Sequence, residues 1–123
     1  MYKYFKLSEF DSPDEAGSGE MMEPIVIEAL DIARDLYGYP IVVTSGFRTV
    51  KHHQNLGKQG YAVAKNSSHL LGWAADLACT DSRKRFLLIE ALLDAGFNRI
   101  GIGENYIHVD LDPEKPSNRI WVY

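Results

Sequence analysis

The sequence predicts an α+β fold, a small antiparallel sheet with helices packed against it. Three observations predict it. Two segments, 24–37 and 83–95, place apolar residues on one face at helical spacing. Short β-branched or alternating runs at 41–44, 72–79, 99–102 and 106–111 read as strands. The last two of these runs flank the tight turn Gly103-Glu104-Asn105, as strands of a hairpin do.

Taken in order, residues 2–10 alternate loosely and end in Phe10, which suits an edge strand or an extended arm. Residues 11–19 are rich in Asp, Ser, Pro and Gly and read as a loop. Pro24 starts the first helix, Val26, Ala29, Leu30, Ala33, Leu36 and Tyr37 form its apolar face, and Gly38 stops it. Ile41-Val42-Val43-Thr44 is a buried strand that runs into the turn Ser45-Gly46-Phe47-Arg48-Thr49. Residues 50–65 suggest one helical turn and a long loop beside a cleft, with His52 and His53 facing solvent. In the strand 72–79, Ala74, Asp76 and Ala78 point one way, while Trp73, Ala75, Leu77 and Cys79 point the other. Asp81 or Ser82 caps the second helix; Phe86, Leu87, Ile89, Leu92 and Leu93 give its buried stripe, and Gly96 ends it. Residues 112–116 form a loop, and 119–123 a last strand or extended tail.

The length of 123 residues fits a single domain over 1–123, with 1–23 as an N-terminal arm and loop. A net charge of −4 with no long basic run argues against nucleic acid as a partner. Cys79 is the only cysteine, which excludes an intramolecular disulfide and any Cys-rich zinc module. The start, Met1 to Leu7, has no apolar segment followed by a small-residue cleavage site, so no secretory signal is expected. No apolar run approaches the length that crosses a bilayer, so no stable membrane insertion is expected. The expected state is a monomer.

The chemistry concentrates in Asn66 to Asp76 and in Tyr106 to Asp110. His69, Asp76 and His108 supply the imidazole and carboxylate ligands of a zinc site that keeps one position open. The alanines beside Asp76 leave room for a metal and a substrate, and Gly72 lets the chain turn between His69 and Asp76. On 106–111, His108 and Asp110 share a face with Tyr106, whereas Ile107, Val109 and Leu111 face the core.

These residues carry a family resemblance. Ser67-x-His69-x-x-Gly72-x-Ala74-x-Asp76, followed by His108-x-Asp110, resembles the zinc D-alanyl-D-alanine carboxypeptidase and L-alanyl-D-glutamate endopeptidase family. Ser45-Gly46-Phe47-Arg48-Thr49 matches that family's Ser-Gly-Tyr/Phe-Arg-Ser/Thr segment. The resemblance runs from about residue 24 to the C-terminus. It implies the fold shared with the hedgehog signalling domain, one zinc ion on His69, Asp76 and His108, and a peptidoglycan stem peptide as substrate. Arg48 is similar to the arginine that holds substrate and stabilises the oxyanion, a role a guanidinium beside a metal suits. Ser67 is expected to contact the substrate or to form the turn, and Tyr106, with Tyr61 and Trp121, to shape the cleft; Trp73 suits the core. The compact length resembles short phage and bacterial members, so cytoplasmic synthesis is expected, with release to the cell wall by a lysis system or carriage on a phage particle.

The sequence departs from the pattern at one place. Classical members have a catalytic Glu or Asp three residues before the last ligand, where this chain has Asn105. Asp110, about 7 Å along the strand from His108 on the same face, is the preferred base, or else it orients a ligand. Glu104, in the turn four residues before His108, is the alternative base. The expected function is therefore zinc-dependent hydrolysis of stem peptides, as an endopeptidase or a D,D-carboxypeptidase. The alternatives are a zinc-stabilised cell-wall-binding or phage structural module without turnover, and another zinc hydrolase such as an amidase.

Overall fold

The structure, a computed structural model, describes residues 2–61 and 63–123. It is α+β. Helix α1 spans Pro24–Tyr37, α2 Val50–Lys58 and α3 Ser82–Asp94. Strands β1 Val43–Ser45, β2 Ala74–Ala78, β3 Arg99–Ile102, β4 Tyr106–Asp110 and β5 Arg119–Val122 form one sheet in the order β1-β2-β4-β3-β5.

Each helix is bounded by local chemistry. Pro24 takes the first turn of α1, where a missing N–H costs nothing, and Gly38 closes it at φ 79°. The Asp81 side chain accepts the Lys84 N–H at the start of α3, and Thr49 accepts the His52 N–H at the start of α2. Val26, Ile27, Leu30 and Ala33 of α1 pack with Leu88 and Leu92 of α3 over one face of the sheet, made by Ala75, Leu77, Ile100, Ile107 and Val109. Each fully buried aliphatic side chain of this kind contributes about 1.5–3 kcal/mol. The alternation of the strands leaves Asp76, His108 and Asp110 on the other face. Register aligns them: β2 and β4 set Asp76 opposite His108, β3 adds Gly101 beside His108, and β5 adds Trp121 beside Gly101. A side chain at Gly101 would come within 2.7 Å of the Trp121 Nε1, so only glycine lets the indole lie there.

In α3 the expected stripe is corrected: Phe86 and Leu93 are exposed, and Leu88 and Ala91 are buried beside Leu92. Four further expectations are corrected. The sheet is mixed, because β5 pairs in parallel with β3. The chain leaves β4 at Asp110, beside the start of β3, and the Arg119 N–H joins the Asn98 carbonyl at that same end, so β5 runs along β3 in its direction. Residues 2–10 form no strand. They carry a 3-10 turn at Leu7–Phe10, and Phe5 and Phe10 enter the core. The Phe10 carbonyl accepts the Phe47 N–H, and Phe10 backbone and Cβ atoms lie where a side chain at Gly46 would stand. The segment after Thr49 is a nine-residue helix rather than one turn. Finally, β1 starts at Val43, not Ile41; Val42 is exposed, and the register slips between Val43 and Ser45 at this sheet edge.

Candidate metal centre

His69, Asp76 and His108 each place one ligand atom within 4.8 Å of the others. His69 lies on a 3-10 turn, Ser68–Leu71, that Gly72 ends in the left-handed conformation at φ 78°. The Ser67 hydroxyl caps this turn by accepting the His69 N–H at 3.2 Å. Of the two uses expected for Ser67, its side chain makes the turn, while the residue also lines the pocket.

The hydrogen bonds around the rings assign their protons. His69 Nδ1 lies 2.7 Å from the Gly46 carbonyl, which can only accept, so Nδ1 carries the proton and Nε2 turns its lone pair to Asp76 Oδ1 at 3.2 Å. His108 Nε2 lies 2.8 Å from Asp110 Oδ2, so Nε2 donates there and Nδ1 faces Asp76 Oδ1 at 2.9 Å. Two imidazole lone pairs and a carboxylate oxygen therefore converge, nine-tenths or more buried. Such a set repels itself unless a cation stands between its members, and nitrogen and oxygen donors of this kind suit a zinc-like metal. The residues present fit a metal.

Without one, a proton takes the cation's part. Burial opposes ionisation of Asp76, but the hydrogen bond from a protonated His108, with His69 close by, outweighs it and holds the carboxyl well below its usual range. Burial pushes His69 down. It acts the same way on His108, yet hydrogen bonds to Asp110 and Asp76 raise that ring above its ordinary value.

Arg48 closes one side. Its Nε donates to Ser45 Oγ at 2.9 Å and one terminal nitrogen to Asp76 Oδ2 at 3.3 Å. The other lies 3.4 Å from His53 Nδ1, while His53 Nε2 donates to the Ala64 carbonyl at 2.6 Å. His53 was expected in solvent; it is 6 % exposed and holds the guanidinium. The helix α2 turns it inward four residues after Thr49, a placement that a loop reading of this segment hides.

Asp110 is 1 % exposed, and both its oxygens are occupied. Oδ2 accepts from His108, and Oδ1 accepts from Arg99 Nε at 2.7 Å and from the Asp112 N–H at 3.2 Å. It meets the ring nitrogen that faces away from Asp76, so neither oxygen of the expected base is turned to the centre of the triad. Glu104 is exposed on the β3–β4 turn, outside the pocket, and its backbone carbonyl accepts from Arg85. Asn105 is also exposed there.

Around the triad lies a pocket of about 240 Å³. Arg48, Ser67 and Tyr106 line it, as does Trp121. Tyr61 is exposed and stands outside it, and Trp73 packs against the core. Ser68, Arg99, Lys115 and Tyr123 also line it and were not anticipated. Arg99 had one available signal: a basic residue that the hairpin register sets opposite Asp110. Burial pushes both the Tyr106 and the Tyr123 phenols up, Tyr123 to about 12, so both stay protonated near neutrality.

No helix among the described residues is long and apolar enough to cross a membrane. No curated protein matches the chain. The family model described as Peptidase M15 matches residues 3–112, a span that contains Arg48, His69, Asp76 and His108. With nine-tenths of its length in that match, the chain belongs to the peptidase M15 family.

Proposed function

We propose that this protein is a zinc peptidase that hydrolyses peptide bonds in peptidoglycan stem peptides, as an endopeptidase or a D,D-carboxypeptidase. The observation that carries the proposal is the set of lone pairs on His69 Nε2, His108 Nδ1 and Asp76 Oδ1, converging at the floor of a pocket beside Arg48. His69, Asp76 and His108 hold the metal in this reading. When bound, zinc lowers the pKa of water and polarises a carbonyl.

The chain's own residues do the rest. Arg48, fixed by Ser45 and His53, presents a positive charge where the oxygen of an attacked carbonyl becomes negative. The Tyr106 and Tyr123 phenols, whose rings lie 5.4 Å apart on one wall, keep their protons and can donate to substrate. Asp110 and the Gly46 carbonyl hold the two imidazoles in the tautomers that leave the inward nitrogens free. Glu104 has no part in this scheme.

One observation favours a second reading, a metal-stabilised module that binds cell wall without turnover. The only carboxylates among the described pocket-lining residues are Asp76 and Asp110, and both are engaged. Incubation of purified protein with muropeptides, with and without a chelator, separates the two. Chelator-sensitive cleavage that His108→Ala abolishes is the expected result. Zinc and muropeptide binding with no product at any enzyme concentration would leave only the binding module.

A further inference from the structure

Lys115 sits where lysines rarely do. It lies on the β4–β5 connector, yet its side chain is only 20 % exposed and folds back over the pocket. Holding that long stem in one place costs much of its rotamer freedom, so something must be gained by it. The holding groups are buried. Ser68, 2 % exposed, donates its hydroxyl to Asp112 Oδ2 at 2.7 Å and accepts from Lys115 Nζ at 2.8 Å. Asp112, 5 % exposed, is itself fixed by the Glu114 N–H, and its Oδ2 lies 3.9 Å from Nζ, a loose pairing. The ammonium therefore has one close acceptor for three N–H donors, while it lines the same pocket as the metal triad.

The charges around it ask for an anion. Arg48, Arg99 and Lys115 line the pocket; Arg48 is paired with Asp76, Arg99 with Asp110, and Lys115 loosely with Asp112. That balance is even, so a divalent cation on the triad leaves two positive charges in excess. Arg99 is fixed by Asp110, by the Pro116 carbonyl and by stacking on the Trp121 ring, whereas Lys115 keeps two of its three donors free on a rotatable ammonium. Lys115 also lies beyond the span 3–112 that matches the family model.

We propose that Lys115, held by Ser68 and Asp112, is a subsite for a carboxylate of the peptide substrate. This rests on the peptidase reading for the kind of substrate, and it makes that substrate an anionic peptide whose carboxylate lies beside the scissile bond. Two sources offer the same chemistry: the free C-terminal carboxylate of the peptide, or the α-carboxylate of a γ-linked D-glutamate within it.

Three peptides distinguish them: L-Ala-γ-D-Glu-L-Lys-D-Ala-D-Ala, its C-terminal amide, and its D-isoglutamine form. Their dissociation constants are measured by NMR titration of the zinc-loaded protein at a temperature where turnover is slow, beside the metal-free protein, and KM and kcat on the zinc-loaded protein. Wild type should bind one of the two neutralised peptides about tenfold more weakly, as the loss of a charge-assisted hydrogen bond requires. Lys115→Met should lose the same factor for the native peptide and lose nothing more for that neutralised one, while Lys115→Arg recovers most of the binding. Melting temperature and zinc affinity of both variants report whether the pocket is intact. A wild type indifferent to both neutralisations would overturn the proposal without any variant. A folded Lys115→Met that still discriminates as wild type does would overturn it too, since the carboxylate would then be held elsewhere. Carboxylate-dependent binding that needs Lys115 in a protein that cleaves none of the peptides would uphold the subsite and sink the peptidase reading.

Discussion

Replacing Asp110 by asparagine separates a base from a residue that orients a ligand. The carboxylate accepts three hydrogen bonds, from His108 Nε2, Arg99 Nε and the Asp112 N–H. An asparagine of the same shape has one oxygen and one NH2 group. With its oxygen toward His108, the NH2 meets the donors of Arg99 and Asp112, and the charged bond to Arg99 is lost, about 1.5–3 kcal/mol at a site this buried. With its oxygen toward Arg99, the NH2 meets His108 Nε2. The ring then accepts there and carries its proton on Nδ1, the atom that faces Asp76. Either outcome weakens the metal site; loss of such a partner costs about 10–100-fold in metal affinity. Asp110→Asn should therefore lower the melting temperature and weaken zinc binding by that factor, read by competition against a chromogenic chelator. Turnover at saturating zinc should largely recover. The reasoning is refuted if zinc affinity and melting temperature stay at wild-type values while kcat falls by orders of magnitude, because Asp110 would then be transferring a proton.

Three other expectations follow from the same geometry. His53→Phe removes the acceptor that holds the Arg48 guanidinium and the donor to Ala64, and should reduce kcat/KM about tenfold at unchanged zinc affinity, read by steady-state kinetics beside a zinc titration. Thr49→Ala removes the cap of α2 and the hydroxyl that donates to Asp14 at 2.7 Å, and should cost about 0.5–2 kcal/mol in urea unfolding. Zinc binding should release a proton and weaken as pH falls through the raised pKa of His108. The reason is the raised pKa of His108: the metal competes with a proton that begins to bind above the ordinary value of 6.5. In the metal-free protein the sign for stability is opposite, since the His108 contribution is complete below 6.5 and is lost as pH rises through the raised value. Calorimetric titration in buffers of different ionisation enthalpy measures the proton count.

Much of this molecule is legible in one dimension because its signals are local. Helical spacing from Pro24, strand alternation through Asp76 and His108, and the turn glycine at 72 each depend on a few neighbouring residues. Alternation puts His108 and Asp110 on one face of their strand and Asp76 with Ala74 and Ala78 on one face of its own, and the five placed residues of the Ser67 to Asp76 motif, with His108-x-Asp110, point to the triad. The direction of β5 was not legible, because an eight-residue connector reaches either edge of a sheet and carries no mark of which one it joins. Nor was the burial of Phe5 and Phe10, since a loosely alternating segment looks alike whether it pairs as a strand or folds over a helix.

The α+β class, helices α1 and α3, the hairpin strands and the side chains that could bind a metal were readable from local pattern. Tertiary structure alone decided what each of them does. Asp110 reads as a base along the strand, but across the sheet Arg99 and His108 occupy both its oxygens. His53 and Lys115 look like solvent-facing side chains until α2 turns His53 onto the Arg48 guanidinium and the β4–β5 connector brings Lys115 to the pocket. The physical reason is that a donor's role depends on which of its lone pairs and protons remain free, and those are consumed by partners distant in sequence.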